Sequence, residues 1–288
     1  MHAGLPPVIV QRAVEAALAE DLGLAGDITT DATIPAAAMA EAVLASRAPG
    51  VASGLQVAAA AFAALDARVT VEPLVRDGAT LARGDIVAKI SGPARAILTA
   101  ERVALNFMCR MCGIATLTRR YVDAVEGTRA SIADTRKTTP GLRAFEKYAV
   151  RCGGGVNHRI GLFDAVLIKD NHIVAAGGIE PAITAARLRA GHMVKIEVEV
   201  DTLDQLDVVL GFPIDAVLLD NMSTDELREA VQRIDVKRAA GARIVAEASG
   251  GVALDTVRAI AETGVDLISV GALTHSAPVL DLGLDFTG

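Results

Sequence analysis

AVLLDNMSTDELREAVQRI, residues 216–234, decides the fold. A short apolar run, Ala216 to Leu219, stops at the polar pair Asp220 and Asn221, and a helical segment, STDELREAVQRI, follows. That is one strand–helix unit. Working outward, the same rhythm recurs in ASIADT (130–135), AVLIKDN (165–171), KIEVEVD (195–201), RIVAEASGG (243–251) and LISVGALT (267–274). The helical segment LDTVRAIAETG (254–264) lies between the last two. The repeat is every ~20–30 residues, the period of βα units. GVNH (155–158) is a candidate seventh strand. The runs are almost continuously apolar, as parallel strands covered on both faces are. The reading is an open α/β barrel of fewer than eight units.

Upstream the pattern differs. A helical periodicity through Val8, Ala13, Ala16, Ala17 and Leu18 ends near Gly23. VASGLQVAAAAFAALD (51–66) reads as a turn into an alanine-rich helix. VTVEPLVRDGATLARGDIVAKISGPA (69–94) alternates in period two around Asp-Gly and Gly-Asp turns, which suits antiparallel strands. A long helix is predicted from about Thr99 to Val125. The domains are placed at 1–114 and 115–288, with the extreme C-terminus packing back on the first.

The chain carries net charge −7 and pI ≈ 5.3. An acidic balance excludes a general nucleic-acid binder. Hydrophobic content is 52% and mean hydropathy +0.41, yet no apolar run approaches the ~20 residues that span a bilayer. The N-terminus lacks the basic start of a signal peptide, so the expectation is a soluble cytoplasmic protein with no membrane partner. Three cysteines make no disulfide framework. Cys109 and Cys112 share a helix face with Leu105 and Met108, which reads as core packing rather than redox or zinc chemistry.

Against this acidic background ADTRKTTPGLRAFEKYAVRCGGGVNHR (133–159) gathers Arg136, Lys137, Arg143, Lys147, Arg151, His158 and Arg159 against Asp134 and Glu146. Arg143, Lys147 and Arg151 stand opposite Leu142, Phe145, Ala149 and Cys152, which predicts a solvated face of an amphipathic helix. The others fall at strand ends, where parallel barrels carry their sites. Reading those ends in order gives Asp134, Thr135, Arg136 and Lys137, then His158 and Arg159, then Lys169, Asp170, Asn171 and His172. Glu197, Glu199 and Asp201 come next, followed by Asp220 and Asn221. Glu247, Ser249, Gly250, Gly251 and Gly271 close the series.

Arginine and lysine grip carboxylates or phosphates. Two carboxylates on neighbouring strands suit Mg²⁺ shared with a phosphorylated substrate. The turns EASGGV and SVGAL, each opening a helix, suit a phosphate. Lys195, Glu197 and Glu199 alternate with Ile196 and Val198 and so point into the barrel, where Glu197 is either a buried ion-pair partner or a site residue. Lys169 could serve as a Schiff-base lysine or as part of a carboxylate clamp.

Three motifs then point to a family. DTRKTTPGLR (134–143), K-x-A-V-x-x-G-G-G-x-x-H-R (147–159) and LIKDNH (167–172), in this order, resemble quinolinate phosphoribosyltransferase, or nicotinate-nucleotide pyrophosphorylase (carboxylating). EDLGLAGDITTD (20–31), VRDGATLARGD (75–85), TAERVALNFM (99–108) and EASGG (247–251) extend the likeness over almost the whole chain. The resemblance implies an N-terminal α/β sandwich before the open barrel, and a homodimer in which one subunit's N-terminal domain covers its partner's barrel mouth. It implies transfer of phosphoribose from 5-phosphoribosyl 1-diphosphate to quinolinate with Mg²⁺. The products are nicotinate mononucleotide, pyrophosphate and CO₂, in de novo NAD biosynthesis.

Carried onto this sequence, Thr135, Arg136, Lys137, His158, Arg159 and Lys169 would bind quinolinate, with Arg102 reaching in from the partner subunit. Glu199 and Asp220 would hold the ribose hydroxyls and, partly through substrate and water, the Mg²⁺. Ser249, Gly250, Gly251, Gly271, Ala272 and His275 would receive the 5-phosphate. The catalytic set would be Lys137, Lys169, Glu199 and Asp220. A paralogous phosphoribosyltransferase-like protein, a barrel isomerase or aldolase, and a silent anion-binding protein are the alternatives.

Overall fold

The structure, a computed structural model, describes residues 4–287. Residues 1–3 and 288, which the N-terminal reading and the two domain spans include, lie outside the described residues. Two compact units make up the chain: Met1–Arg119, Thr139–Gly154 and Leu273–Gly288 form the first, Arg120–Thr138 and Gly155–Ala272 the second.

The first unit contains strands β1 (Met39–Ser46), β2 (Gly50–Val51), β3 (Thr70–Pro73), β4 (Thr80–Leu81), β5 (Ile86–Pro93) and, from the C-terminus, β12 (Leu282–Phe286). Four of them make an antiparallel sheet in the order β12-β1-β5-β3, and β2 pairs with β4. Leu44 of β1 and Ile90 of β5 are buried, as are Val57, Ala58, Ala61 and Phe62 of helix Leu55–Leu65. That spacing is one helix face. Helix Pro7–Leu22 buries Val10, Val14 and Leu18 at four-residue intervals. Val8 is 64% exposed and Ala16 is exposed, so the buried stripe is rotated from the one expected.

The GDITTD segment acts here as a structural clamp. Asp27 caps helix Ile28–Thr33, accepting from the Thr30 backbone N–H at 2.9 Å and the Thr30 hydroxyl at 2.6 Å. It also accepts from the Thr99 hydroxyl at 2.9 Å. These donors hold the Asp27 carboxyl below its ordinary range. The long helix runs Ala94–Ala124 and starts before Thr99, since β5 leads directly into it and Arg95 ties to Asp31 at 2.8 Å.

Cys112 is buried in this helix, its thiol accepting from the Ser53 backbone N–H at 3.2 Å and donating to the Ser53 carbonyl at 3.3 Å. Burial pushes Cys109 and Cys112 up, and Cys152 up to about 11. All three thiols are free, consistent with packing rather than redox chemistry.

Helix Arg143–Cys152 departs from expectation. Phe145 to Val150 are buried without a break, and Lys147 is 1% exposed, so the basic stripe is no solvated face. The reason is polar anchoring on several sides. Glu146 accepts from Arg110 Nη2 at 2.9 Å and from the Thr139 backbone N–H at 3.0 Å. Tyr148 donates to Asp77 at 2.8 Å. Phe145 packs on Phe107 with centroids 5.4 Å apart.

The second unit holds β6 (Ser131–Ala133), β7 (Val166–Ile168), β8 (Ile196–Val200), β9 (Ala216–Asp220), β10 (Val245–Ser249) and β11 (Leu267–Ser269). They form one parallel sheet in the order β6-β11-β10-β9-β8-β7. β6 and β7 are its two edges, so the barrel is open. Helices such as Thr224–Ala239 return the chain between strands, that one started by a reciprocal Ser223–Glu226 cap.

The expected seventh strand at GVNH shrinks to a single parallel bridge, Ala133 with Val156. Asp134 explains the stop. Its carboxylate accepts from Asn157 Nδ2 at 2.6 Å and the His158 backbone N–H at 2.9 Å, so side-chain bonds replace the ladder.

At the strand starts, Asp215 accepts from the Ile196 backbone N–H at 2.9 Å and pairs with Lys195. Lys195 precedes β8 and its side chain is 75% exposed, so it does not point into the barrel as its alternation suggested. Among the described residues no helix is long and apolar enough to cross a membrane.

Candidate active site

The strand ends of the second unit bring most of the expected residues together. Thr135, Arg136 and Lys137 follow β6, and the Thr135 hydroxyl accepts from the Lys137 backbone N–H at 3.0 Å. Arg159 donates through Nη1 to the Ala165 carbonyl at 3.2 Å. The Nε atoms of Arg136 and Arg159 are both buried with no hydrogen-bond partner. Desolvation, and then the nearby Arg136 charge, pull Arg159 below the usual arginine range. Two half-buried guanidiniums repel each other and leave their buried Nε donors unmet, which costs stability until an anion arrives.

Lys169, directly after β7, caps helix Asp170–Ala176 and its backbone N–H donates to His172 Nδ1 at 2.9 Å. Its ammonium forms an ion pair with Glu199 of β8, a residue 8% exposed.

Asp220 ends β9 and accepts from Asn221 Nδ2 at 2.6 Å. Asn221 stands at φ 54°, the only positive-φ non-glycine among the described residues, with its backbone N–H on the Ser249 carbonyl at 2.9 Å. Gly250 follows at φ +93°, and a Cβ there would lie 2.2 Å from Asn221 Oδ1. Only glycine fits that approach.

The Gly250-Gly251 turn does not open a helix as expected. Both glycines have positive φ, and the next helix begins only at Val257. The SVGAL turn does, with helix Ala272–His275 directly after Gly271. Arg102 and His275 belong to the first unit, where both are exposed.

Beneath the mouth lies a buried cluster. His158 Nε2 is 3.0 Å from Glu197 Oε2 and 3.5 Å from Glu247 Oε2. The other Glu247 oxygen accepts from the Ser269 hydroxyl. Burial works to lower the His158 pKa, but hydrogen bonds and charge from the two glutamates outweigh it and push it up to about 10. Its Nδ1, however, already accepts from the Arg159 backbone N–H at 2.8 Å. That contact makes Nδ1 the ring's acceptor and leaves Nε2 to donate to Glu197. Burial raises Glu197 above its ordinary range.

His158, Glu197 and Glu247 are also close enough to share a cation, with donor atoms within 4.8 Å of one another. The sequence reading placed Glu197 and Glu247 at strand ends without this partnership and missed Ser269. The signal was the inward alternation of polar residues in IEVEV, VAEAS and LIS.

Charges opposed this densely at the mouth of an open parallel barrel define a class, a barrel enzyme for small anionic substrates. The pattern described as "Quinolinate phosphoribosyl transferase, C-terminal domain" matches residues 114–285. Its N-terminal counterpart matches residues 27–112. The chain belongs to the quinolinate phosphoribosyl transferase family.

It is 48% identical to a nicotinate-nucleotide pyrophosphorylase [carboxylating] from Mycobacterium leprae, over 94% of this chain and 95% of that protein. A probable nicotinate-nucleotide pyrophosphorylase [carboxylating] from Bacillus subtilis is 43% identical, over 93% of this chain and 90% of that protein. Among solved structures, NadC from Streptococcus pyogenes superposes with a TM-score of 0.92 at 39% identity, covering 100% of both chains.

Proposed function

We propose that this chain transfers phosphoribose from 5-phosphoribosyl 1-diphosphate to quinolinate with loss of CO₂, giving nicotinate mononucleotide and pyrophosphate in NAD biosynthesis. The observation that carries it is the pair of buried, partnerless Nε atoms on Arg136 and Arg159. A flat dianion such as a pyridine dicarboxylate supplies the acceptors those forks lack. Lys137 and Lys169 add positive charge, and Thr135 orders the turn that carries Lys137.

Glu199 and Asp220 hold the ribose hydroxyls. The SGG turn, with Gly271 and Ala272, offers backbone N–H groups to the 5-phosphate. Glu199 and Asp220 also fit Mg²⁺, since they are hard oxygen donors on adjacent strands and too few to enclose the ion without water and substrate oxygens. When bound, Mg²⁺ supplies charge neutralisation for the departing pyrophosphate.

The residues do the rest by placement. The clamp orients the pyridine nitrogen toward ribose C1, where positive charge develops as the C1–pyrophosphate bond breaks. Alkylation of that nitrogen makes the ring an electron sink, so the C2 carboxylate leaves as CO₂, the bond's electron pair stays on C2, and C2 then takes a proton from water. No covalent enzyme intermediate is needed. Arg102 from a second subunit would complete the clamp in a homodimer, and an acidic chain with three free thiols suits a cytoplasmic setting.

The test is incubation with quinolinate, phosphoribosyl diphosphate and Mg²⁺. Nicotinate mononucleotide and CO₂ are expected in equal amounts, and release of neither overturns the reading.

A further inference from the structure

Two segments return to the first unit directly after candidate site residues. Thr139 begins one of them, two residues beyond Lys137, and Leu273 begins the other, next to Ala272. Within the first unit a single ion pair holds the start of both.

Arg110 stands on the long helix Ala94–Ala124. It donates through Nη1 to the Ala277 carbonyl at 3.1 Å and through Nη2 to the Thr274 carbonyl. The same guanidinium meets Glu146 Oε1, through Nη2 at 2.9 Å and Nε at 3.2 Å. Glu146, buried on helix Arg143–Cys152, turns its remaining acceptors to Thr139. Its Oε2 accepts from the Thr139 backbone N–H at 3.0 Å and its Oε1 from the hydroxyl at 2.8 Å.

The seat of the second segment is tight on either side of Arg110. A Cβ at Gly113 would lie 2.0 Å from the Pro278 carbonyl oxygen. The Leu280 backbone N–H donates to the Cys109 carbonyl at 3.0 Å. A buried ion pair adds little net stability, since an apolar pair of similar volume often serves as well. What it adds here is direction. The rigid fork of one guanidinium meets two carbonyls and a carboxylate at once. A shift of about 1 Å, even far from the chemistry, can cost on the order of 100-fold in rate.

We propose that Arg110 and Glu146 are positioning residues for the two halves of the site. Arg110 fixes the turn that carries Thr274 and His275 for the 5-phosphate. Glu146 fixes Thr139, and with it the loop that carries Arg136 and Lys137 for the carboxylates. The inference rests on the phosphoribosyl transfer reading above.

Calorimetry on the full-length protein tests it with two probes, ribose 5-phosphate and quinolinate. Arg110→Lys keeps the charge and loses the fork. It should weaken ribose 5-phosphate by about fivefold or more and quinolinate by no more than about twofold, the worth of one or two hydrogen bonds. Glu146→Gln keeps the shape but has one oxygen where two are needed. It should do the reverse, weakening quinolinate by about fivefold or more and ribose 5-phosphate by no more than about twofold. Equal losses of both probes in each variant would mean general loss of structure and overturn the proposal.

The double variant Arg110→Met with Glu146→Leu leaves no member of the pair buried alone, so it keeps the fold if either single variant does not. It should weaken both probes, and wild-type affinity for both in the folded double variant would reduce the pair to packing. A wild-type protein that binds ribose 5-phosphate but not quinolinate refutes the functional reading instead, while the effect of Arg110→Lys on ribose 5-phosphate still decides the phosphate half of the proposal.

Discussion

Alanine at Gly250 and alanine at Gly251 look equivalent in sequence but not in space. At Gly250 the new Cβ would stand 2.2 Å from Asn221 Oδ1 and 2.9 Å from the Asn221 backbone nitrogen, at φ +93°. At Gly251 it would meet nothing within 4 Å, at φ +59°. Both positions carry the cost of left-handed backbone, about 1–2 kcal/mol. Only Gly250 adds a collision. Relieving it swings the Asn221 side chain off Asp220, breaking a 2.6 Å hydrogen bond. That bond is worth about 1 kcal/mol net, and slightly more if the Asp220 oxygen is left short of a donor.

The expected destabilisation is therefore about 1 kcal/mol for Gly251→Ala and about 3 kcal/mol for Gly250→Ala. Urea unfolding with a fixed m-value reads both. Kinetically, Gly250→Ala disturbs the 5-phosphate turn and the Asp220 carboxylate together. The KM for phosphoribosyl diphosphate should rise by about tenfold or more while quinolinate affinity stays within about twofold. Equal losses for the two variants, in stability and in KM, would refute the argument, because the close approach to Asn221 would then be irrelevant.

Other expectations follow from the same geometry. Asp27→Ala should cost about 1–2 kcal/mol at pH 7 through the lost helix cap. Because the folded Asp27 pKa is lowered, that contribution is complete above the unfolded carboxylate value of about 4 and is lost as pH falls through the folded one. Unfolding midpoints of variant and wild type should therefore converge in acid, and a constant gap would show that ionisation plays no part. Nicotinic acid should be a poor substrate, since a buried clamp cation left without its carboxylate costs about 1–3 kcal/mol or more; comparable turnover of nicotinate and quinolinate would contradict the dicarboxylate clamp. Arg102→Ala and Lys169→Ala should each be nearly inactive, yet random subunit exchange should restore about a quarter of wild-type activity if sites are shared across a two-fold axis. Exchange verified by mass with no recovery would remove Arg102 from the partner's site.

The βα rhythm made the parallel sheet legible, because strands covered on both faces must be apolar along their whole length and each must end in polar residues. Period-two alternation showed the antiparallel strands of the first unit for the related reason that one face meets solvent. Where expectation failed, a side chain had taken over from the backbone pattern. Asp134 stopped the seventh strand by accepting from Asn157 and the His158 N–H, and no local propensity encodes that. Lys147 looked like a solvated cation on a helical wheel. The wheel cannot register that Glu146 and Tyr148 anchor the neighbouring faces to Arg110, Thr139 and Asp77, with Lys147 enclosed between them.

The sequence by itself determined which residue types stand at the strand ends, since strand period and chain order assign each polar residue to a mouth or a base. Only the tertiary structure decided how they pair. Lys169 meets Glu199 across 30 residues, and His158 meets Glu197 across 39. Such partnerships depend on strand order and on side-chain direction at each register. Both are settled by packing the whole sheet, because the electrostatics of a buried charge are set by whatever lies within a few ångströms, wherever that lies in the chain.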